Sequence, residues 1–173
     1  MPLRQIDLNR QKKFHNNCLR RFQSLSQMIA LCAVHLLIGA LPIEAEIHKK
    51  QLSFLHGLLC NDNQTIQRLN QRQIIINIDN PESFYCVVTK PLEHYNLLNI
   101  KSLNLLPNKL SWKHQYKTAV NNYWTTFFRD ESENRSTLQF MNFNETQIGK
   151  PHLPCKLLAL LLLRSKDQLH TVE

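Results

Sequence analysis

The chain predicts an all-α fold, an irregular bundle of about six helices, and three observations carry that expectation. Apolar side chains recur at helical spacing over two long segments, 14–60 and 108–131. Only 3 of the 173 residues are glycine while 43% are hydrophobic, too few turns for a β-sandwich and too much apolar matter for a disordered tail. Gly39 and Pro42 then stand where a helix stop and a helix start are needed.

The elements follow in order. Over residues 1–27, Arg4, Arg10, Lys12, Lys13, Arg20 and Arg21 face a single acid, Asp7. Phe14, Cys18, Phe22 and Leu25 recur at helical spacing among them, so the segment reads as a basic amphipathic helix. Ser24 or Ser26 is the expected cap of the next helix, which runs through the apolar stretch MIALCAVHLLIGAL to a left-handed stop at Gly39. Pro42 suits the first turn of the following helix, and Glu44 and Glu46 suit the positive end of its dipole. Ile43, Ile47, Leu52, Phe54, Leu55, Leu58 and Leu59 cover about half of that helix at 100° per residue. The pair 26–39 and 42–60 is therefore expected as a central helical hairpin.

Beyond it the signals weaken. Thr65 to Ile78 reads as a short helix or, at Ile74-Ile75-Ile76, as a β-prone run. Asn80-Pro81-Glu82 looks like a helix start, and Pro91 is expected to cut or end that helix. Residues 96–108 are rich in leucine but aperiodic, which suggests a packed loop. Residues 108–131 then give the second strong helix. Trp112, Tyr116, Val120, Tyr123 and Phe127 form an aromatic stripe, and Lys109, Lys113 and Lys117 a basic stripe beside it. A short helix is expected at Ser136–Met141. The chain divides on this reading into 1–61, 62–150 and a divergent apolar and basic tail, 151–173.

Net charge is +8, a surplus that favours polyanions such as nucleic acid. Five cysteines lie far apart with no CxxC pair, which fits a reducing, intracellular setting and excludes a zinc ribbon or a disulfide scaffold. The apolar run 28–41 is shorter than the roughly 18–20 residues that span a bilayer, so no transmembrane segment and no membrane partner are expected. A product started at Met28 would carry a secretory-like signal, a third and more remote reading. The sequons at Asn63, Asn134 and Asn144 matter only in that case.

The sequence carries few patterns that point to a chemistry. Polymerases hold two metal ions on paired carboxylates, yet the five aspartates are scattered and none are adjacent. No phosphate-binding glycine loop and no HExxH helix occurs. Glu44-x-Glu46-x-His48 is the nearest approach to an acid/base or metal cluster, but Glu46 to Lys50 is a natural i,i+4 ion pair and the carboxylates complement the helix dipole. His152-x-x-Cys155 is half of a zinc site without its other half. No catalytic residue, metal, cofactor or small-molecule substrate is expected. The aromatic stripe suits either the core or unpaired bases, and the lysine stripe either solvent or phosphates.

One stretch resembles a known family. Phe14-His15, Leu19-Arg20-Arg21-Phe22-Gln23-Ser24-Leu25, Leu36-Leu37-Ile38-Gly39-Ala40-Leu41-Pro42-Ile43 and Lys49-Lys50-Gln51-Leu52-Ser53-Phe54-Leu55 resemble the region that follows the thumb in LINE-type (non-LTR) retrotransposon reverse transcriptases. A weaker likeness continues through Leu110 to Phe128 and Ser136-Thr137-Leu138, as in invertebrate elements. Fingers, palm and catalytic aspartates have no counterpart, and the stretch from Pro154 lacks the family's metal-binding cysteines. The resemblance thus implies a non-catalytic fragment of a reverse transcriptase-like protein, at most an auxiliary nucleic-acid-binding segment. Because the family's post-thumb helices flank the template–primer duplex, it also implies that Arg20, Arg21, Lys49 and Lys50 face phosphates. Composition adds Lys109, Lys113 and Lys117 as candidates. The alternative is a helical protein–protein interaction module with no nucleic-acid role. Helices that evolved against a polymerase core would expose apolar faces once freed, which predicts self-association or a molten state.

Overall fold

A computed structural model describes residues 5–77, 79–97, 107–138 and 146–150. The fold is all-α: the described residues form six helices, α1 (Gln5–Phe22), α2 (Leu31–Ile38), α3 (Ile43–Leu59), α4 (Gln64–Asn77), α5 (Phe84–His94) and α6 (Lys109–Glu133), with a 3-10 turn at Ser136–Leu138. No strand occurs among the described residues beyond an isolated bridge, Gln147 to Lys150. Two compact units interleave along the sequence. Unit 1 takes Met1–Lys12 and Ile43–Tyr123, and unit 2 takes Lys13–Pro42 and Trp124–Glu173. The two helices expected as one central hairpin accordingly fall in different units.

Unit 1 is built on α3, which packs against α4 and α5, while α4 also packs on α5. Its core contains Leu52, Leu55, Val88, Leu92, Trp112 and Val120, all at most 1% exposed. Polar groups buried with them are satisfied in pairs. The Trp112 indole N–H donates to the Leu52 carbonyl (3.0 Å). Asn70 donates to the Leu58 carbonyl (2.7 Å) and accepts from the Tyr85 hydroxyl (3.1 Å). Leu58 lies in the last turn of α3, where carbonyls lack an intrahelical donor, so Asn70 closes that end and ties three helices together. The β-prone run at Ile74–Ile76 is helical, capped at its start by Asn63, whose side-chain oxygen accepts from the Thr65 N–H (2.9 Å).

Pro91 neither cuts nor ends α5, which continues to His94. A proline near the end of a helix forfeits one amide, and here the closing bonds are made by other groups: Tyr95 N–H to Pro91 and Leu97 N–H to Leu92 (3.1 and 2.8 Å). The Pro91 ring itself is fully buried. At the start of α5, Ser83 accepts from the Cys86 N–H (3.1 Å).

Unit 2 centres on α2, whose residues Cys32 to Leu36 are all buried. A helix apolar on every side can exist only inside a core. It starts at Leu31 rather than near residue 26, because Ser24 and Ser26 do other work. Ser24 is left-handed (φ 53°) and closes α1: Leu25 N–H bonds Arg20 and Ser24 N–H bonds Arg21 (2.9 and 3.0 Å). Ser26 accepts from the Met28 N–H in the following turn (3.2 Å). Gly39 ends α2 in the left-handed conformation expected of it (φ 69°), with Ala40 N–H on His35 and Gly39 N–H on Leu36. Segment 146–150 is stitched in by Gly149 N–H to Gly39 (2.7 Å), Ile148 N–H to Thr125 Oγ1 (3.1 Å) and Arg129 to the Thr146 carbonyl (2.6 Å).

His35 holds the middle of unit 2. Its ring lies face to face with Phe128 (centroids 4.7 Å apart, planes within 3°) and stacks with His15 at 6.1 Å. Nδ1 sits 2.9 Å from the Ala40 carbonyl, which can only accept, so Nδ1 carries the proton. Side chain and backbone thus exchange hydrogen bonds across the end of α2. Burial pushes the imidazole pKa down to about 4.

Candidate nucleic-acid interface

A phosphate contact needs a cation whose donors are not already spent. By that test the seven candidate cations separate. Lys109, Lys113 and Lys117 are all exposed on the first half of α6, and none forms an ion pair among the described residues. At 1.5 Å rise per residue the steps between them are about 6 Å, so they line one shoulder of the helix as a ridge. Lys50 on α3 and Arg21 on α1 are likewise exposed. Lys49 is not free: its ammonium lies 2.9 Å from Glu46 Oε1. Glu46 thus pairs with Lys49 at i+3 and not with Lys50 at i+4. Arg20 is half-buried, and one guanidinium nitrogen donates to the Ile29 carbonyl at 2.9 Å. That nitrogen fastens the turn after α1.

Most of the aromatic stripe beside the lysine ridge is packed inward, while Phe127 is 44% exposed and rests against Trp124 and Phe128. Trp112 and Tyr116 are 1% and 4% exposed, and Tyr123 is packed among His94 and Tyr95 (ring centroids 4.2 and 5.5 Å). None of these three offers an open face to a base. Other exposed rings lie on α3, at Phe54 (57% exposed), and on α1. Phe14 and Phe22 are 72% and 55% exposed, and Cys18 between them is exposed too. The stripe expected to be the buried side of α1 points to solvent, and Leu8, His15 and Leu19 take the inner side. A helical wheel contains the signal: at 100° per residue Arg10, Lys13 and Arg21 fall on the same half as Phe14, which is a poor half to bury.

The Glu44, Glu46 and His48 cluster does not assemble. Glu44 pairs with Lys12 at 2.6 Å, Glu46 with Lys49, and His48 Nδ1 shares a hydrogen with the Tyr95 hydroxyl at 2.8 Å. Burial lowers the His48 pKa, with Glu44 opposing and His94 and Lys12 assisting. Cys60 and His56 form a pair that sequence reading overlooked, Sγ to Nε2 at 3.5 Å. The same Nε2 lies 3.0 Å from the Pro107 carbonyl, which demands a donor there, so this nitrogen is not free to take the thiol proton. Among the described residues no group of three His, Cys, Asp or Glu could hold a metal ion, and no single helix is long and apolar enough to cross a membrane. His152 and Cys155 lie outside the described residues.

Comparison with family models, with curated proteins and with solved structures finds no match.

Proposed function

We propose that this chain is a non-catalytic, nucleic-acid-binding protein related to the post-thumb region of non-LTR retrotransposon reverse transcriptases. The observation that carries the reading is the ridge of exposed, unpaired lysines at 109, 113 and 117. Of the other candidate cations, Lys50 and Arg21 also form no ion pair among the described residues, whereas Lys49 pairs with Glu46 and Arg20 holds the Ile29 carbonyl. A ridge of three cations on a convex helix contacts phosphates without reading bases, so the expected binding is strong in charge and weak in sequence preference.

Binding to single-stranded RNA and to an RNA–DNA duplex across a salt series tests this. The affinity should fall steeply with salt. Changing all three ridge lysines to alanine should reduce the slope of log K against log salt by roughly 2 to 3, since each phosphate neutralised contributes about 0.7 to 0.9. A triple variant with an unchanged slope would refute the role of the ridge.

A second reading rests on α4, where Leu69, Ile75 and Ile76 are exposed beside Arg68 and Arg72. That face suits a helical protein–protein contact, whose affinity would be far less sensitive to salt.

A further inference from the structure

We infer that the outward face of α1 in unit 2 is a platform for unpaired nucleotides, with Phe14 and Phe22 stacking on bases and Lys13 and Arg21 holding the backbone. The inference rests on the nucleic-acid reading above and adds the class of nucleic acid together with the residues that select it. Phe14, Cys18 and Phe22 repeat at i, i+4 and i+8, and Lys13, Asn17 and Arg21 repeat in the same way one residue earlier. Two parallel stripes result, one aromatic at both ends and one cationic at both ends. Phe14, Phe22, Lys13 and Arg21 are all exposed, and the two rings touch no other ring among the described residues.

Charge restricts the occupant. From Leu8 to Ile43 the chain has no aspartate or glutamate. In unit 2 the described acids stand on the last turns of α6, where Glu131 pairs with Arg135 at 2.6 Å. A second copy of this face would bring like charges together, so a polyanion fits better. The rings then choose among polyanions. In a duplex the base faces are covered by their neighbours, and a phenylalanine on a helix surface has nothing to stack on. Unpaired bases offer a free π-face to any ring, whatever their identity. The two rings are about 12 Å apart along the helix, more than three stacked base steps of about 3.4 Å. They therefore suit bases spread out of a stack.

Fluorescence anisotropy with the full chain decides the matter, using labelled oligouridine and an RNA–DNA duplex of equal length. The parent chain should prefer oligouridine. Phe14→Leu with Phe22→Leu keeps both positions apolar but removes the stacking planes, and should weaken oligouridine binding by about tenfold or more while leaving duplex binding within about twofold. An unchanged circular dichroism spectrum and melt would confirm that the fold is intact. Ultraviolet crosslinking of oligouridine should label peptides containing Phe14 or Phe22. Equal affinity of parent and double variant for oligouridine, with duplex binding intact, would overturn the platform and leave the phosphate reading standing. Absence of binding to either probe would overturn both. Binding to vesicles of phosphatidylserine and phosphatidylcholine without oligouridine binding would assign the face to lipid and also overturn the inference.

Discussion

Unit 1 buries an indole, an amide, a phenol and the His56 imidazole, all hydrogen-bonded, whereas unit 2 places at its centre an imidazole whose pKa burial drives down to about 4. In unit 1, Trp112 donates to Leu52 and Asn70 bridges Leu58 and Tyr85. In unit 2, His35 is 2% exposed, stacked on Phe128 and bonded to the Ala40 carbonyl. Both arrangements meet the requirement that buried polar groups be paired. They differ in what can undo them. Unit 1 is vulnerable to lost volume, and unit 2 to a proton.

The largest effect is expected in unit 1. Trp112→Ala removes the largest fully buried side chain and strands the indole's share of the Leu52 carbonyl. A cost of about 3–5 kcal/mol is expected, read from hydrogen exchange of the α5 amides around Val88 and Leu92. Trp112→Phe should cost less, because much of the volume stays. Equal exchange in parent and Trp112→Ala would break the contrast, since it would mean that the ring is not what holds α3 and α6 together.

The next effect belongs to unit 2 and depends on pH. The folded His35 pKa is about 4 against an ordinary 6.5, so the unfolded chain binds more protons between these values. Stability is therefore complete above about pH 6.5 and is lost as pH falls toward 4, by on the order of 3 kcal/mol. The two tryptophans make this measurable. Trp124 lies 5.4 Å from Phe128, so in a Trp112→Phe background its fluorescence follows the His35 stack. Denaturant melts of that protein at pH 7 and pH 4.5 should separate clearly. Adding His35→Phe keeps a flat ring against Phe128, loses the bond to Ala40, and should flatten the pH dependence. If it does not, another group in unit 2 carries the proton.

How much of this was legible in the sequence follows from the range of the forces involved. Helix existence was legible because it is local: the apolar spacing at 42–60 and 108–131 and Gly39 in its left-handed stop act within a few residues. Direction was not. Phe14, Cys18 and Phe22 look like a core stripe until the cations on the same half of the wheel are counted. Ser24 looked like the start of a helix and is the end of one, because the choice between Leu25–Arg20 closure and a new cap depends on what surrounds the turn. Arg20 and Lys49 kept their place on helices but lost their availability, one to the Ile29 carbonyl 9 residues away and the other to Glu46. For the candidate interface, charge was legible in the sequence and freedom was not.

The smallest effect sharpens the comparison from the other side, because unit 1 also holds a depressed histidine. His48 is half-buried, and its pKa is lowered first by burial while Glu44 pulls it upward. Glu44 is itself paired with Lys12 at 2.6 Å, and both side chains are about one third exposed. Such a pair contributes at most about 1 kcal/mol, so Glu44→Gln should barely move the midpoint of a neutral-pH melt. It should nevertheless move His48. Without the carboxylate nothing offsets the burial, and the released Lys12 charge opposes imidazolium further, so the pKa falls. A proton NMR titration of the ring resonances would show the shift. His35 serves as the internal control, because neither Glu44 nor Lys12 contributes to its depressed value. A His48 pKa that rises in Glu44→Gln would mean that the Tyr95 hydroxyl, and not burial, sets its protonation.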